Sequence, residues 1–178
     1  MPLLISFRGI TPNIHPTVFL AEGAKIIGDV VINNDSSIWF NAVVRGDVNY
    51  IRIGSRTNIQ DGCLLHVRNG KYPLIIGSNV TIGHGAVVHA CTLGDYTLVG
   101  MNATVLDDAQ VGQYSLIAAG AVVREHQVIP DGVLVAGVPA KVVRPLTQEE
   151  KTSLMQSAEN YVQYVRSYRE EEIFTGKV

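Results

Sequence analysis

Three of the five histidines, His66, His84 and His89, lie in the stretch L-H-V-R-N-G-K-Y-P-L-I-I-G-S-N-V-T-I-G-H-G-A-V-V-H-A, Leu65 to Ala90. Neutral imidazoles bind divalent metal ions, and three of them leave one position of a tetrahedral ion open for chemistry. A lone histidine is more often an ordinary residue than a ligand, so relative placement decides. In this stretch an isoleucine or valine followed by small residues recurs every six positions, at Ile76, Ile82 and Val88. Such a period, carried along a chain, means a solenoid of stacked coils. From Leu65 the inward positions run Ile76, Ile82 and Val88, which makes one full coil of three strands. Leu65 and Val88 therefore stack, and so do His66 and His89 behind them. Adjacent parallel strands stand about 4.8 Å apart. Two imidazoles at that spacing can converge on one ion, with Zn–N bonds of about 2.0–2.1 Å.

His84 belongs to the strand of Ile82, on another side of the coil, too far away to meet the same ion within one chain. A neighbouring chain can supply it. Three prisms around a three-fold axis make a heterologous contact that closes as a ring. The spacing thus predicts a homotrimer with interfacial metal sites, each built from His66 and His89 of one chain and His84 of another. Arg45 falls on the same face as His66, one coil earlier, and Asp47 follows closely. The segment N-I-Q-D, Asn58 to Asp61, occupies the strand before His66. These polar residues are read either as site groups or as ion pairs of a subunit junction. His15 and His126 lie outside the arrangement and are read as surface or turn residues.

The elements that must position these groups follow from the same period. It is regular at Leu93, Val99, Val105, Val111, Ile117, Val123, Ile129 and Val135. Upstream the reading places Ala21, Ile27, Asn33, Trp39 and Arg45 inward, with a two-residue slip after Gly46-Asp47 and resumption at Ile53, Ile59 and Leu65. The segment R-N-G-K-Y-P between Leu65 and Ile76 is expected to bulge as a surface loop. A helix cannot sustain a period of six, because about 3.6 residues per turn would carry the stripe around the cylinder. An antiparallel sandwich would need longer alternating strands. The expected fold is an all-β solenoid, a parallel β-helix of hexapeptide repeats with three short strands per coil. The general crossover rule alone would make it right-handed. Met1 to Pro16 caps the first coil, and V-A-G-V-P-A-K-V-V-R-P-L closes the last. Thr147 then starts a helix, with Glu150 completing a capping box. Its apolar stripe is Leu154, Ala158, Tyr161, Val165 and Tyr168, read as core packing along the prism of its own chain or a neighbour's. The terminal I-F-T-G-K-V is expected to fray. Residues 1–146 form the solenoid and 147–178 the helix and tail of the same structural domain.

Composition narrows the classes. The chain has 178 residues and a net charge of −2, which gives no basic footprint for nucleic acid. No run approaches the roughly 20 apolar residues of a membrane span, and the N-terminus lacks the pattern of a signal peptide. Cys63 and Cys91 make no disulfide framework. The expectation is a cytoplasmic protein without nucleic-acid or membrane partners.

Three stretches carry a family likeness: S-I-W-F-N-A-V-V-R-G-D (Ser37 to Asp47), N-I-Q-D-G-C-L-L-H (Asn58 to His66) and I-G-H-G-A-V-V-H (Ile82 to His89). Together they resemble the gamma-class carbonic anhydrases, over nearly the whole chain. The resemblance implies a left-handed β-helix, a trimer, and one zinc-type ion per interface held by His66, His84 and His89. It implies that Gln60 hydrogen-bonds to metal-bound water, with Asn58 beside it. Arg45 and Asp47 match a pair concerned with bicarbonate and trimer contact, and Asp61 matches a carboxylate that pairs across subunits. The chemistry so implied is reversible hydration of carbon dioxide to bicarbonate, by water whose pKa the ion lowers towards about 7. Iron(II) or cobalt(II) fits three imidazoles as zinc does. Two features differ from the best-characterised branch. Val48 stands where that branch has a glutamate after the R-G-D motif. The loop V-R-N-G-K-Y-P carries no acid, so proton release is expected to be slow. The shorter branch of the family shares this lack of acid.

Other activities fit parts of the sequence. V-A-G-V-P-A-K-V-V-R resembles the exit common among hexapeptide acyltransferases that use acyl-coenzyme A. Those enzymes use one histidine as general base and need no metal triad. Coenzyme A thioester hydrolysis, linked to the shorter branch, and a non-catalytic metal-stabilised trimeric binding protein are the remaining alternatives.

Overall fold

The computed structural model describes residues 1–171. The chain winds into a left-handed parallel β-helix with three faces of seven parallel strands each. On the first face Leu64–His66, Val87–His89, Thr104–Val105 and Val122–Val123 stack in order. The second carries Leu74–Ile76, Thr92–Leu93, Gln110–Val111 and Val128–Ile129. The third runs from Phe19–Leu20 through Ser37–Ile38, Asn58–Ile59 and Thr81–Ile82 to Val133–Ala136, where Lys141–Pro145 closes it antiparallel. Two long strands, Lys25–Ile32 and Val43–Ile53, bend across the corner between the first and second faces. Gly28 turns there at φ +75°, and a Cβ on it would stand 2.4 Å from the carbonyl oxygen of Gly46, so only glycine fits.

Inside the prism the aliphatic residues form ladders. Ile26, Val44, Leu65, Val88, Val105 and Val123 run up the first face, each in register with the next. Ile38, Ile59, Ile82, Val99, Ile117 and Val135 run up the third. All are buried, and the regular downstream half of the six-residue reading holds. The upstream half is displaced by one residue. Ile26, Ile32, Ile38 and Val44 point inward, not Ile27, Asn33, Trp39 and Arg45. The reason is that Ile26-Ile27 and Ile38-Trp39 put two apolar residues side by side, so the period alone leaves the phase open by one. The insertion at the Gly46 corner is correspondingly one residue longer than the sequence suggests.

The helix Gln148–Glu170 begins at Thr147 with the expected capping box: the Thr147 hydroxyl accepts from the Glu150 N–H at 3.2 Å, and the Glu150 carboxylate accepts from the Thr147 N–H at 2.8 Å. It lies along the third face of its own prism, burying Leu154, Ala158, Val162 and Val165. Val162 belongs to the stripe although the sequence reading omits it. Tyr161 and Tyr168 instead pack edge-on against Trp39, with ring centroids 5.3 Å away in both cases. The segment I-F-T-G-K-V lies outside the described residues. Among the described residues no helix is long and apolar enough to cross a membrane.

Candidate metal centre

The register of the first face delivers the predicted pair. His89 lies directly over His66, and His66 over Arg45. Each follows an inward aliphatic residue, so alternation along the strand turns its side chain outward. The two imidazole rings are 5.1 Å apart between centroids and inclined by 56°, with His66 Nδ1 3.1 Å from His89 Nε2.

The outer nitrogens are held by carboxylates. His66 Nε2 donates to Asp47 Oδ1 at 3.0 Å, and His89 Nδ1 donates to Asp107 Oδ1 in a short contact. Each carboxylate is engaged in turn by an arginine. Arg45 Nη1 reaches Asp47 Oδ2 at 2.5 Å, and Arg68 Nη1 reaches Asp107 Oδ2 at 2.9 Å. Burial alone would raise the Asp47 carboxyl, but hydrogen bonds from Arg45 and His66 outweigh it and hold it below the ordinary aspartate range. Asp107 is lowered in the same way against burial, by His89 and Arg68. For His66, burial dominates and lowers its pKa against the raising effect of Asp47, which favours neutral imidazole.

These partners set the tautomers. With N–H at His66 Nε2 and at His89 Nδ1, the lone pairs of His66 Nδ1 and His89 Nε2 face each other across 3.1 Å. Two facing lone pairs repel unless a proton or a cation lies between them. Two nitrogen ligands of a tetrahedral zinc ion, each about 2.0–2.1 Å from it, stand about 3.3 Å apart. Carboxylates on the outer ring nitrogens are the usual support of metal-bound histidine. The pair therefore fits a divalent cation.

His84 sits at the corner after Thr81–Ile82, beyond the third face and apart from the pair. Its Nδ1 is 2.7 Å from Asp61 Oδ2, so all three candidate ligands have a carboxylate partner. A string of buried amides fixes its backbone. The His84 N–H donates to Gln60 Oε1 at 3.1 Å, Gln60 Nε2 donates to Asn58 Oδ1 at 3.1 Å, and Asn58 Nδ2 donates to Thr81 Oγ1 at 3.0 Å. Asp61 Oδ1 also accepts from the Phe40 N–H at 3.0 Å. Among the described residues of one chain, no group of three or more His, Cys, Asp or Glu could hold a metal ion. The structure thus brings together Arg45, Asp47, His66 and His89 in one cluster, and Asn58, Gln60, Asp61 and His84 in another. Asp107 and Arg68 were not singled out by sequence. A signal existed for Asp107: it stands two positions after Val105, which stacks on Val88, and so lies one coil beyond the residue that follows His89.

Comparison with known proteins adds the lineage. The sequence model "Bacterial transferase hexapeptide (six repeats)" matches residues 90–125. A "Carbonic anhydrase" of Geobacillus kaustophilus is 40% identical over 167 residues, covering 94% of this chain and 91% of that protein. "Gamma carbonic anhydrase 2, mitochondrial" of Arabidopsis thaliana is 46% identical over 166 residues, which span 90% of this chain and only 60% of that longer protein. The crystal structure of a "hexapeptide transferase family protein" from Anaplasma phagocytophilum superposes with a TM-score of 0.90 at 43% identity, covering 93% of this chain and 98% of that one. The transferase model covers only repeat scaffold and none of the three histidines, whereas the anhydrase likeness spans them all. On that likeness, the chain belongs to the gamma-class carbonic anhydrase family.

Proposed function

We propose that this protein is a trimeric metalloenzyme that interconverts carbon dioxide and bicarbonate. The facing lone pairs of His66 and His89, 3.1 Å apart, carry the reading. His84 of a neighbouring chain supplies the third imidazole, which accords with its place on a different corner. Zinc is the first candidate, and iron(II) or cobalt(II) suits the same donors. When bound, such an ion supplies Lewis-acid activation of water for attack on carbon dioxide.

The protein's own groups do the positioning. Asp47 holds the His66 tautomer that leaves its inner nitrogen bare. Gln60 anchors the His84 backbone and, through Asn58, ties it to the third face. Arg45 places a cation beside the pair, where a product anion benefits from it. The loop 67–73 offers no carboxylate for proton transfer, and its Arg68 is engaged with Asp107. Buffer is therefore expected to carry protons. Cytoplasmic residence belongs to the same reading, and the reduced, buried Cys63 and Cys91 accord with it.

The test is a stopped-flow hydration assay on zinc- and cobalt-reconstituted protein across pH and buffer concentration. The expected result is a rate above background that rises through neutral pH and increases with buffer. A fully metallated protein with no rate above background would overturn the reading and make coenzyme A thioester hydrolysis the next assay. Retention of the trimer without either activity would identify a metal-stabilised binding protein.

A further inference from the structure

A run of polar side chains crosses the coils of the first face in the order Arg45, Asp47, His66, His89, Asp107, Arg68. The two halves mirror one another, each a histidine backed by an aspartate that is itself backed by an arginine. Arg45 and Asp47 are two residues apart, but Asp47 reaches His66 from nineteen residues away. Asp107 reaches His89 from eighteen residues away, and Arg68 reaches Asp107 from thirty-nine. Asp107 is only 6% exposed, and both its oxygens are taken.

Burying a carboxylate needs compensation. An Arg–Asp pair whose arginine is half exposed contributes little by itself. Loop anchoring through Arg68 would not require Oδ1 to sit on His89 Nδ1. That contact fixes which imidazole nitrogen carries the proton and which faces His66. We infer that Asp107, held by Arg68, is a positioning residue that presents His89 Nε2 for metal. This rests on the metal-centre reading above and adds two residues to it.

The neighbouring Asp108 supplies an internal control. Its Oδ2 is 2.9 Å from Nδ1 of His126, an exposed histidine–carboxylate pair on the same corner that touches neither His66 nor His89. Chelator competition with zinc, and the visible spectrum of the cobalt form, are measured on the assembled protein. Wild type is set beside Asp107→Ala, Asp107→Asn, Arg68→Gln and Asp108→Asn, with far-ultraviolet circular dichroism as the check on folding. Asp107→Ala is expected to weaken metal affinity by about 10- to 100-fold, the usual effect of removing such a partner. Asp107→Asn retains an acceptor for the His89 N–H and should fall between Ala and wild type. Arg68→Gln should cause a smaller loss in the same direction, and Asp108→Asn none. The cobalt spectrum should change in the Asp107 variants and stay constant in Asp108→Asn.

Folded Asp107 variants with wild-type affinity and an unchanged cobalt spectrum would overturn the inference and reduce Asp107 to an anchor for the loop. If Asp107→Ala fails to fold, the intermediate affinity of Asp107→Asn or the loss in Arg68→Gln supports the inference, and wild-type values in both overturn it. A wild-type protein that binds neither zinc nor cobalt would overturn the metal reading itself.

Discussion

Gln60 shows how one buried amide can serve two ends. It is 5% exposed, accepts from the His84 N–H and donates to Asn58. Gln60→Ala would leave a donor and an acceptor of its neighbours without partners, at a cost of about 1–3 kcal/mol in stability. A denaturant titration of wild type and variant measures that loss. If Gln60 also aligns the reacting oxygen, hydration should fall further, by an amount equivalent to about 2.7–4 kcal/mol at the transition state. Metal affinity separates the effects, because a displaced His84 lowers affinity while a lost alignment lowers only the rate. Arg45 already has a partner inside its own chain. Within the chain it engages Asp47, while Asp61 is occupied by His84 and the Phe40 N–H. Asp47 thereby links the arginine to a candidate ligand.

Among the elements, the C-terminal helix depends on its first turn. The Glu150 carboxyl is held at about 2, first by the Arg144 guanidinium and then by the Thr147 N–H. Its ordinary value is 4.5. Between these values the unfolded chain binds the proton and the folded chain does not, so stability declines as pH falls. The contribution is fully present above about pH 4.5 and is lost as pH falls towards 2. Melting of helical circular dichroism should therefore move to lower temperature across that window in wild type. Glu150→Gln should melt lower at neutral pH and show a flatter acid dependence. A wild-type profile no steeper than that of Glu150→Gln would remove the capping pair from the stability of this helix. Because the helix packs on the third face beside Trp39, its loosening should expose the tryptophan ring before the prism opens.

For the whole molecule, the candidate ligands of one chain fall in two separate places. The His66–His89 pair lies on the first face, and His84 occupies a corner beyond the third. An ion shared between chains binds the assembled state and not the separated one, so it should stabilise the trimer by mass action. Native mass spectrometry should show a trimer whose dissociation is promoted by chelation. His84→Ala should weaken assembly in the same direction and bind less metal. A monomer that holds metal tightly would refute the shared site.

The solenoid, its downstream ladders, the capping box and the stacking of His66 on His89 are legible in the sequence. All of these depend on spacing alone: a strict period of six dictates which strands lie side by side, and a cap is a contact between residues three apart. Tertiary structure decided the rest. The upstream phase was ambiguous because adjacent apolar residues satisfy the same period, and only stacking on Val44 and Leu65 selects Ile26 as the inward one. Val162 joined the helical stripe because the helix settled on one particular face of its own prism. Asp107 and Arg68 joined the histidine pair because coils far apart in sequence are neighbours in space, and side-chain reach across coils leaves no periodic trace. The proposed meeting of two chains at each shared ion lies a level higher still, where the complementarity of two faces decides, and a repeat that treats every face alike does not encode it visibly.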